Sequence, residues 1–174
     1  MGLTDGLALT QALTPNTTSP LTKGAITLQI RTENLVRIYF AGSIRAGRDD
    51  VPVYRELIQH LKQHGSVLTE HVGSYQLSIH GQSHLTDNFI HDRDADWLLS
   101  SDVVVAEVTQ PSLGVGYEIG TAVQRNIPTI ALYRGAPGGL SAMIRGSNGV
   151  QLISYENVPD VLAPLDRALK EVMR

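Results

Sequence analysis

From Leu35 onward, short apolar runs alternate with stretches in which apolar residues recur every three or four positions. Leu35 to Ala41 is an apolar-rich run that stops at Gly42, the pattern of a strand buried on both faces. Val53, Leu57 and Leu61 then recur at helical spacing, with Asp49 or Asp50 placed to cap a helix and Gly65 placed to stop it. Ser66 to Glu70 reads as a second strand, and Phe89 to Ser100 as a helix ending before Asp102. Val103 to Val108 is rich in β-branched residues and gives the strongest strand signal in the chain. Gly116 to Gln124 predicts a helix. Ile127 to Tyr133 predicts a fourth strand with Pro128 near its start, and Val150 to Ser154 a short fifth. Val161, Leu162, Leu165, Leu169 and Val172 predict a terminal helix over Val158 to Met173. Pro159 suits its first turn, whereas Pro164 is expected to delay its start or kink it.

Strands alternating with helices predict βαβ units and a parallel sheet. Ligands of such sheets bind beyond the carboxyl ends of the strands. Chemistry is therefore expected just after Phe40, Glu70, Val108 and Tyr133. Residues Met1–Asn34 do not share this pattern. Thr10 to Pro20 is rich in Thr, Ser and Pro, so a flexible tail is expected ahead of a domain over Leu35–Arg174.

Composition narrows the picture. A length of 174 residues with 42% apolar residues suits one domain with a sizeable core. The net charge of −3 leaves no basic excess, so nucleic acid is not an expected partner. Cysteine is absent, which excludes a disulfide scaffold, thiolate zinc sites and a sulfur nucleophile. No apolar run reaches the ~18 residues of a membrane helix, and the first residues lack the layout of a secretory signal. No membrane partner is expected. The expected location is the cytoplasm, with the nucleus as a second compartment.

The candidate chemistry follows the strands. Gly42, Ser43, Ile44, Arg45, Ala46, Gly47 and Arg48 follow the first one. Glycines there let a backbone approach a ligand, and Arg45 and Arg48 either face an anion or are simply solvated. Thr109 to Glu118 follows the strongest strand and opens a helix, whose amino end favours phosphate and whose Ser112 can donate to it. Ile119 stands where the dinucleotide fingerprint needs its third glycine, and no Gly-Lys-Ser/Thr follows. A nicotinamide cofactor and a nucleoside triphosphate are thus disfavoured.

Glu118 falls early in that helix, where the dipole favours the anion. It reads either as a nucleophile beside a phosphate pocket or as a surface glutamate. Asp92, Asp94 and Asp96 cannot all share one helix face, and Trp97 and Leu98 are expected to face the sheet. One or two of the acids then stand near the cleft. A carboxyl group facing Glu118 would complete the pair used to cleave a bond at an anomeric carbon; spacing does not choose among the three. His71 closes the second predicted strand, where contact with a ligand and simple packing both fit. His60 and His64 are four apart, yet no acidic or cysteine partner completes a recognisable motif, so no metal is expected. Leu140 to Gly146, after the fourth strand, either lines a cleft or meets a partner subunit.

Taken together, four segments are more specific than their parts: Tyr39 to Arg45, Thr69 to Val72, Asp102 to Glu118 and Leu140 to Gly146. They closely resemble the nucleoside 2-deoxyribosyltransferase family, in its branch of nucleotide N-glycosidases, over about Arg37 to Gly146. The resemblance implies a flavodoxin-like three-layer fold with a five-stranded parallel sheet, and a homodimer with shared active sites. It implies hydrolysis of the N-glycosidic bond of 2′-deoxynucleoside 5′-monophosphates to free base and 2-deoxyribose 5-phosphate, without metal or cofactor. By the same resemblance Glu118 is the nucleophile, Asp94 the second carboxylate and Tyr39 the residue that positions and tunes Glu118. Ser112 and Gly114 correspond to phosphate contacts, Gly42 to Arg48 to the loop around the nucleotide, and His71 to a residue near the base. Ser141, Ala142 and Met143 correspond to a segment reaching into the neighbouring subunit, with Ser141 on the phosphate. Ala46 stands where relatives resemble a glycine, and Asp92 and Asp96 also depart from them. Three rivals remain: a deoxyribosyltransferase, a ribonucleotide N-glycosidase of the same fold, and a non-catalytic nucleotide sensor.

Overall fold

The computed structural model describes residues 35–45, 48–136 and 138–173. The tail expected over Met1–Asn34, and Ala46 and Gly47 of the glycine-rich loop, lie outside the described residues. The elements are β1 (Val36–Ala41), α1 (Val51–Leu61), β2 (Gly65–Val67), a 3₁₀ turn (Glu70–Gly73), α2 (Asp87–Leu99), β3 (Val103–Glu107), α3 (Leu113–Gln124), β4 (Thr129–Tyr133), α4 (Ala142–Arg145), β5 (Val150–Ser154) and α5 (Val158–Val172). All five strands are parallel, in the order β2-β1-β3-β4-β5. This is the expected five-stranded parallel sheet of an α/β fold. Among the described residues no helix is long and apolar enough to cross a membrane.

The two faces of the sheet follow from strand parity. Ile38, Phe40, Val103, Val105, Ile130 and Leu132 point to one side, against Tyr54, Leu57 and Leu61 of α1 and Val161, Leu165 and Leu169 of α5. Tyr39, Ala41, Val104, Ala106 and Ala131 point to the other, against Leu98 of α2 and Val115, Ile119 and Ala122 of α3. Burial on both faces explains why the central strands read as unbroken apolar runs. Parity also sends Tyr39 into the α2–α3 layer. The strand order reverses direction between β1 and β3, and the crevice at their carboxyl ends is where such sheets hold ligands.

Several boundaries differ from the sequence expectation, each for a local reason. The second strand ends at Val67 rather than Glu70, because the Thr69 hydroxyl takes over the pairing with β1. It accepts from the Phe40 N–H at 2.9 Å and donates to the Phe40 carbonyl at 2.6 Å. His71 consequently sits in a 3₁₀ turn, not at a strand end. Gly65 is not a helix stop but the first residue of β2, where a Cβ would lie 2.1 Å from the Val36 carbonyl oxygen. Asp50 occupies the cap position of α1, but its carboxylate pairs with Arg134 instead of the helix N–H groups. Helix α2 starts earlier than expected because Thr86 caps it, accepting from the Phe89 N–H at 3.2 Å. Helix α3 starts at Leu113 because Ser112 caps it. Pro164 neither delays nor ends α5, which begins at Val158 behind a capping box of Asn157 and Asp160. The apolar face carrying Val161, Leu165 and Leu169 stabilises α5 enough to offset the lost backbone bond.

Candidate active site

A cavity of about 580 Å³ opens at the switch point of the sheet. Gly42, Ile44 and Arg45 reach it from the loop after β1, and His71 from the 3₁₀ turn. Asp94 comes from α2, and Ser112, Gly114 and Glu118 from the amino end of α3. Eight of the sixteen site residues singled out in the sequence therefore line one cleft, although they come from separate stretches of the chain.

Glu118 sits at the bottom of this arrangement. The Tyr39 phenol, almost fully buried, donates a 2.7 Å hydrogen bond to Glu118 Oε1. Burial pushes the Glu118 carboxyl up from 4.5 to about 7; the bond from Tyr39 works in the opposite direction, and the nearby Asp94 adds to the rise. Burial thus outweighs the helix dipole that the sequence placed in favour of the anion. Burial and the adjacent Glu118 charge push the Tyr39 phenol far above its ordinary value, so it remains a hydrogen-bond donor. A carboxyl group near 7 is about half ionised at neutral pH and is poised for chemistry there.

This environment has a cost in stability with a defined sign. Between pH 4.5 and about 7 the folded chain holds a proton on Glu118 that the unfolded chain has released. Stability contributed by this group therefore falls as pH rises through that window, and the full penalty stands above pH 7. The difference between 4.5 and about 7 is worth roughly 3 kcal/mol at ~1.36 kcal/mol per pH unit. Glu118→Gln is expected to melt at the same temperature as the parent near pH 4.5 and about 6–10 °C higher at pH 8. Thermal unfolding across pH checks this; a gain independent of pH would show that the carboxyl is not held protonated by its surroundings.

Of the three acids on α2, Asp94 is half-buried and lines the cleft, while Asp92 and Asp96 are exposed. Arg93 holds Asp94, donating from Nε to Asp94 Oδ1 at 2.9 Å. Its Nη2 also donates to Gln82 Oε1 at 2.6 Å, and the guanidinium lies 4.7 Å from the centre of the Trp97 ring. Leu98 faces the sheet as expected, with Trp97 packed beside it. Sequence reasoning missed Arg93 and Gln82; the only signal was an arginine next to the aspartate, four residues before a tryptophan. It also missed Ile90 and His91, which line the same cleft from α2.

The anion-facing side is only partly as expected. Arg45 lines the cleft, and its 3.2 Å contact with Asp87 is solvent-exposed and weak enough to yield to a ligand. Arg48 does not reach the cleft. Its guanidinium is taken up by the carbonyls of Val72 at 3.0 Å and Ser74 at 2.7 Å, so it braces the turn that carries His71. Ser43 is fully buried, with its N–H donating to the Tyr54 hydroxyl at 3.2 Å, and it is not among the residues that line the cleft. His71 packs against Trp97, and burial holds its imidazole below the ordinary value, which keeps it neutral at neutral pH. The Ser112 hydroxyl accepts from the Val115 N–H at 3.4 Å, and Leu113 and Gly114, whose N–H groups belong to the first turn of α3, line the cleft beside it.

Ser141 and Met143 do not join Glu118 within the chain. They line a second cavity of about 420 Å³ with Ser112, Leu113 and Val115, on the outer side of the α3 amino end. Ala142, exposed, begins α4 between them.

The fold and cleft define an α/β protein with a half-buried, tyrosine-held carboxyl group at the sheet's switch point and a helix amino end beside it. Comparison with known proteins gives this class its family. The chain belongs to the nucleoside 2-deoxyribosyltransferase family, whose sequence model matches residues 38–142. It is 52% identical over 123 residues to a 5-hydroxymethyl-dUMP N-hydrolase of Danio rerio, covering 70% of this chain and 86% of that protein. Over 135 residues it is 48% identical to a 5-hydroxymethyl-dUMP N-hydrolase of Homo sapiens, covering 75% of this chain and 77% of that one. Among solved structures, a CMP N-glycosidase of Clostridium botulinum shares the fold, with a TM-score of 0.56 at 21% identity over 75% of this chain and 98% of its own.

Proposed function

We propose that this protein is a 2′-deoxynucleoside 5′-monophosphate N-hydrolase that works through a glycosyl ester on Glu118. The observation that carries the reading is the Tyr39–Glu118 bond at the floor of a cleft that Asp94 also lines. Relatives named as N-hydrolases of a deoxynucleoside monophosphate, about half identical to this chain, support the same enzyme class.

In this reading the substrate phosphate lies at the amino end of α3, on Ser112 and the N–H groups of Leu113 and Gly114, with Arg45 close by. The ionised Glu118 attacks C1′. The C1′–N bond breaks, its electron pair leaves with the base, and Asp94 handles the proton that the base takes up. A 5-phospho-2-deoxyribosyl ester remains on Glu118. Water then adds to C1′ and gives up a proton to Asp94, the Glu118 carboxylate leaves, and 2-deoxyribose 5-phosphate is released. Two carboxyl groups and a neutral donor suffice for these steps. Tyr39 keeps Glu118 oriented and lowers the cost of its ionised form. His71, neutral and tilted against Trp97, offers a polar edge to the base.

A homodimer is part of the same proposal. Leu113 is 97% exposed and Met143 82% exposed beside the second cavity, a cost that a partner subunit's surface would remove. A partner there would also bring Ser141 close to the phosphate end of a cleft.

The test is the phosphate. Two charge-assisted hydrogen bonds of about 1.5–3 kcal/mol each predict that a 2′-deoxynucleoside is cleaved about 10²–10⁴-fold less efficiently than its 5′-monophosphate. A panel including 5-hydroxymethyl-dUMP and dGMP, each beside its nucleoside and followed for base release, reads this directly. Equal kcat/KM for nucleoside and nucleotide would overturn the phosphate assignment. Adding a free base to the same reaction separates hydrolysis from transfer to a second base.

A further inference from the structure

Outside the cleft, the described residues gather metal-ligating atoms at His60, His64 and Asp166. His60 lies in the last turn of α1, His64 in the turn that follows, and Asp166 in the middle of α5. The sequence offered a histidine pair without an acidic partner. The fold supplies that partner from 102 residues beyond His64, because α1 and α5 lie side by side on the same face of the sheet.

The geometry is convergent. His60 Nε2 lies 2.6 Å and His64 Nε2 2.8 Å from the same oxygen, Asp166 Oδ1. The two rings are tilted by 57° with centroids 5.4 Å apart, and the candidate ligand atoms all lie within 4.8 Å of one another. Three donor atoms, from the end of α1, the turn after it and α5, therefore converge. A tetrahedral ion with bonds of about 2.0–2.1 Å spaces its ligands about 3.3 Å apart, so an outward shift of about half an ångström admits it. The side chains are 14%, 17% and 33% exposed, held by their surroundings yet reachable from solvent. His60 also lines a groove of about 590 Å³ between α1, the 3₁₀ turn and the start of α5, which leaves room for water as a further ligand. Two imidazoles and one carboxylate suit zinc and its neighbours, whereas magnesium and calcium prefer oxygen alone.

We propose that His60, His64 and Asp166 form a binding site for a zinc-class divalent ion that clasps α1 to α5, on the face of the sheet opposite α2 and α3. The ion replaces the hydrogen bonds on Asp166 Oδ1. Each imidazole then binds through Nε2 and carries its proton on Nδ1. Because the site exists only when the two helices are docked, the ion binds the folded chain and stabilises it.

The experiment uses the full chain without an affinity tag. Zinc is titrated by calorimetry and by thermal unfolding, and cobalt serves as a spectroscopic probe. The expected result is one ion per chain, a melting temperature raised by roughly 5 °C or more at saturation, and the intense visible bands of low-coordinate cobalt. Asp166→Asn and His64→Gln should each weaken zinc binding at least about tenfold, while a His80→Gln, His84→Gln double variant binds as the parent does. The cobalt spectrum reads the site on the unaltered chain, so it holds even where a variant loses stability. Absence of zinc-dependent stabilisation, or unchanged affinity in His64→Gln, would overturn the proposal.

Discussion

Glu118→Ala is expected to remove base release almost entirely, by about 10⁴-fold or more in kcat, the scale seen when a nucleophile is taken from a group of residues that act together. The site gives Glu118 no substitute. Tyr39 is held protonated by burial, and no cysteine exists in the chain to take over. Asp94 belongs to the opposite wall, on α2, where Arg93 holds it. Glu118→Gln should be as inactive as Glu118→Ala while remaining folded, since the amide oxygen can still accept from Tyr39. Its higher stability at pH 8 then separates loss of chemistry from loss of fold. Binding of the substrate should survive in both variants, because the proposed phosphate contacts are at Ser112 and the first turn of α3. A loss that appeared in KM alone would place Glu118 in binding and not in the reaction.

Asp94→Asn is expected to cost about 10²–10⁴-fold, the usual worth of a positioned proton-transfer group. The loss should depend on the base. A departing base that accepts its proton easily, or leaves well as the anion, needs less help, so the penalty should shrink along a series of better leaving groups. Glu118→Ala should show no such recovery, because its defect lies in attack. Measuring kcat/KM for both variants across that series tells the two carboxylates apart. A penalty at Asp94 equal for every leaving group would assign it to orientation, through the Arg93–Gln82 chain, and not to the proton.

The parts of this site that were legible in the sequence are those set by local pattern. The β-branched run of β3 and the turn after it placed Ser112, Gly114 and Glu118 together at the opening of one helix, whereas Tyr39 came only from the resemblance to the family, and it is the fold that sends it to the side of the sheet that holds α3. What stayed open was set by contacts across the chain. Periodicity on α2 could not choose among Asp92, Asp94 and Asp96; resemblance to the family pointed to Asp94, and in the fold it is Asp94 that lines the cleft beside Arg93. Arg48 looked equivalent to Arg45, but its guanidinium meets two carbonyls of the 3₁₀ turn that no local rule ties to it. Thr69 truncated the second strand by a side-chain bond to Phe40, an interaction spanning 29 residues. Asp166 joined His60 and His64 for the same reason: its partnership is written in helix packing, not in spacing.

On the proposed mechanism Glu118 becomes covalently attached to the sugar during turnover. The most direct measurement is rapid acid quench of the protein with excess 2′-deoxynucleoside 5′-monophosphate, followed by intact mass and peptide mapping. The expected result is a transient adduct with the mass of one dehydrated 2-deoxyribose 5-phosphate, located on Glu118, absent in Glu118→Gln, with the first-formed sugar keeping the anomeric configuration of the substrate. Turnover without any adduct, giving a first-formed sugar of inverted configuration, would contradict it.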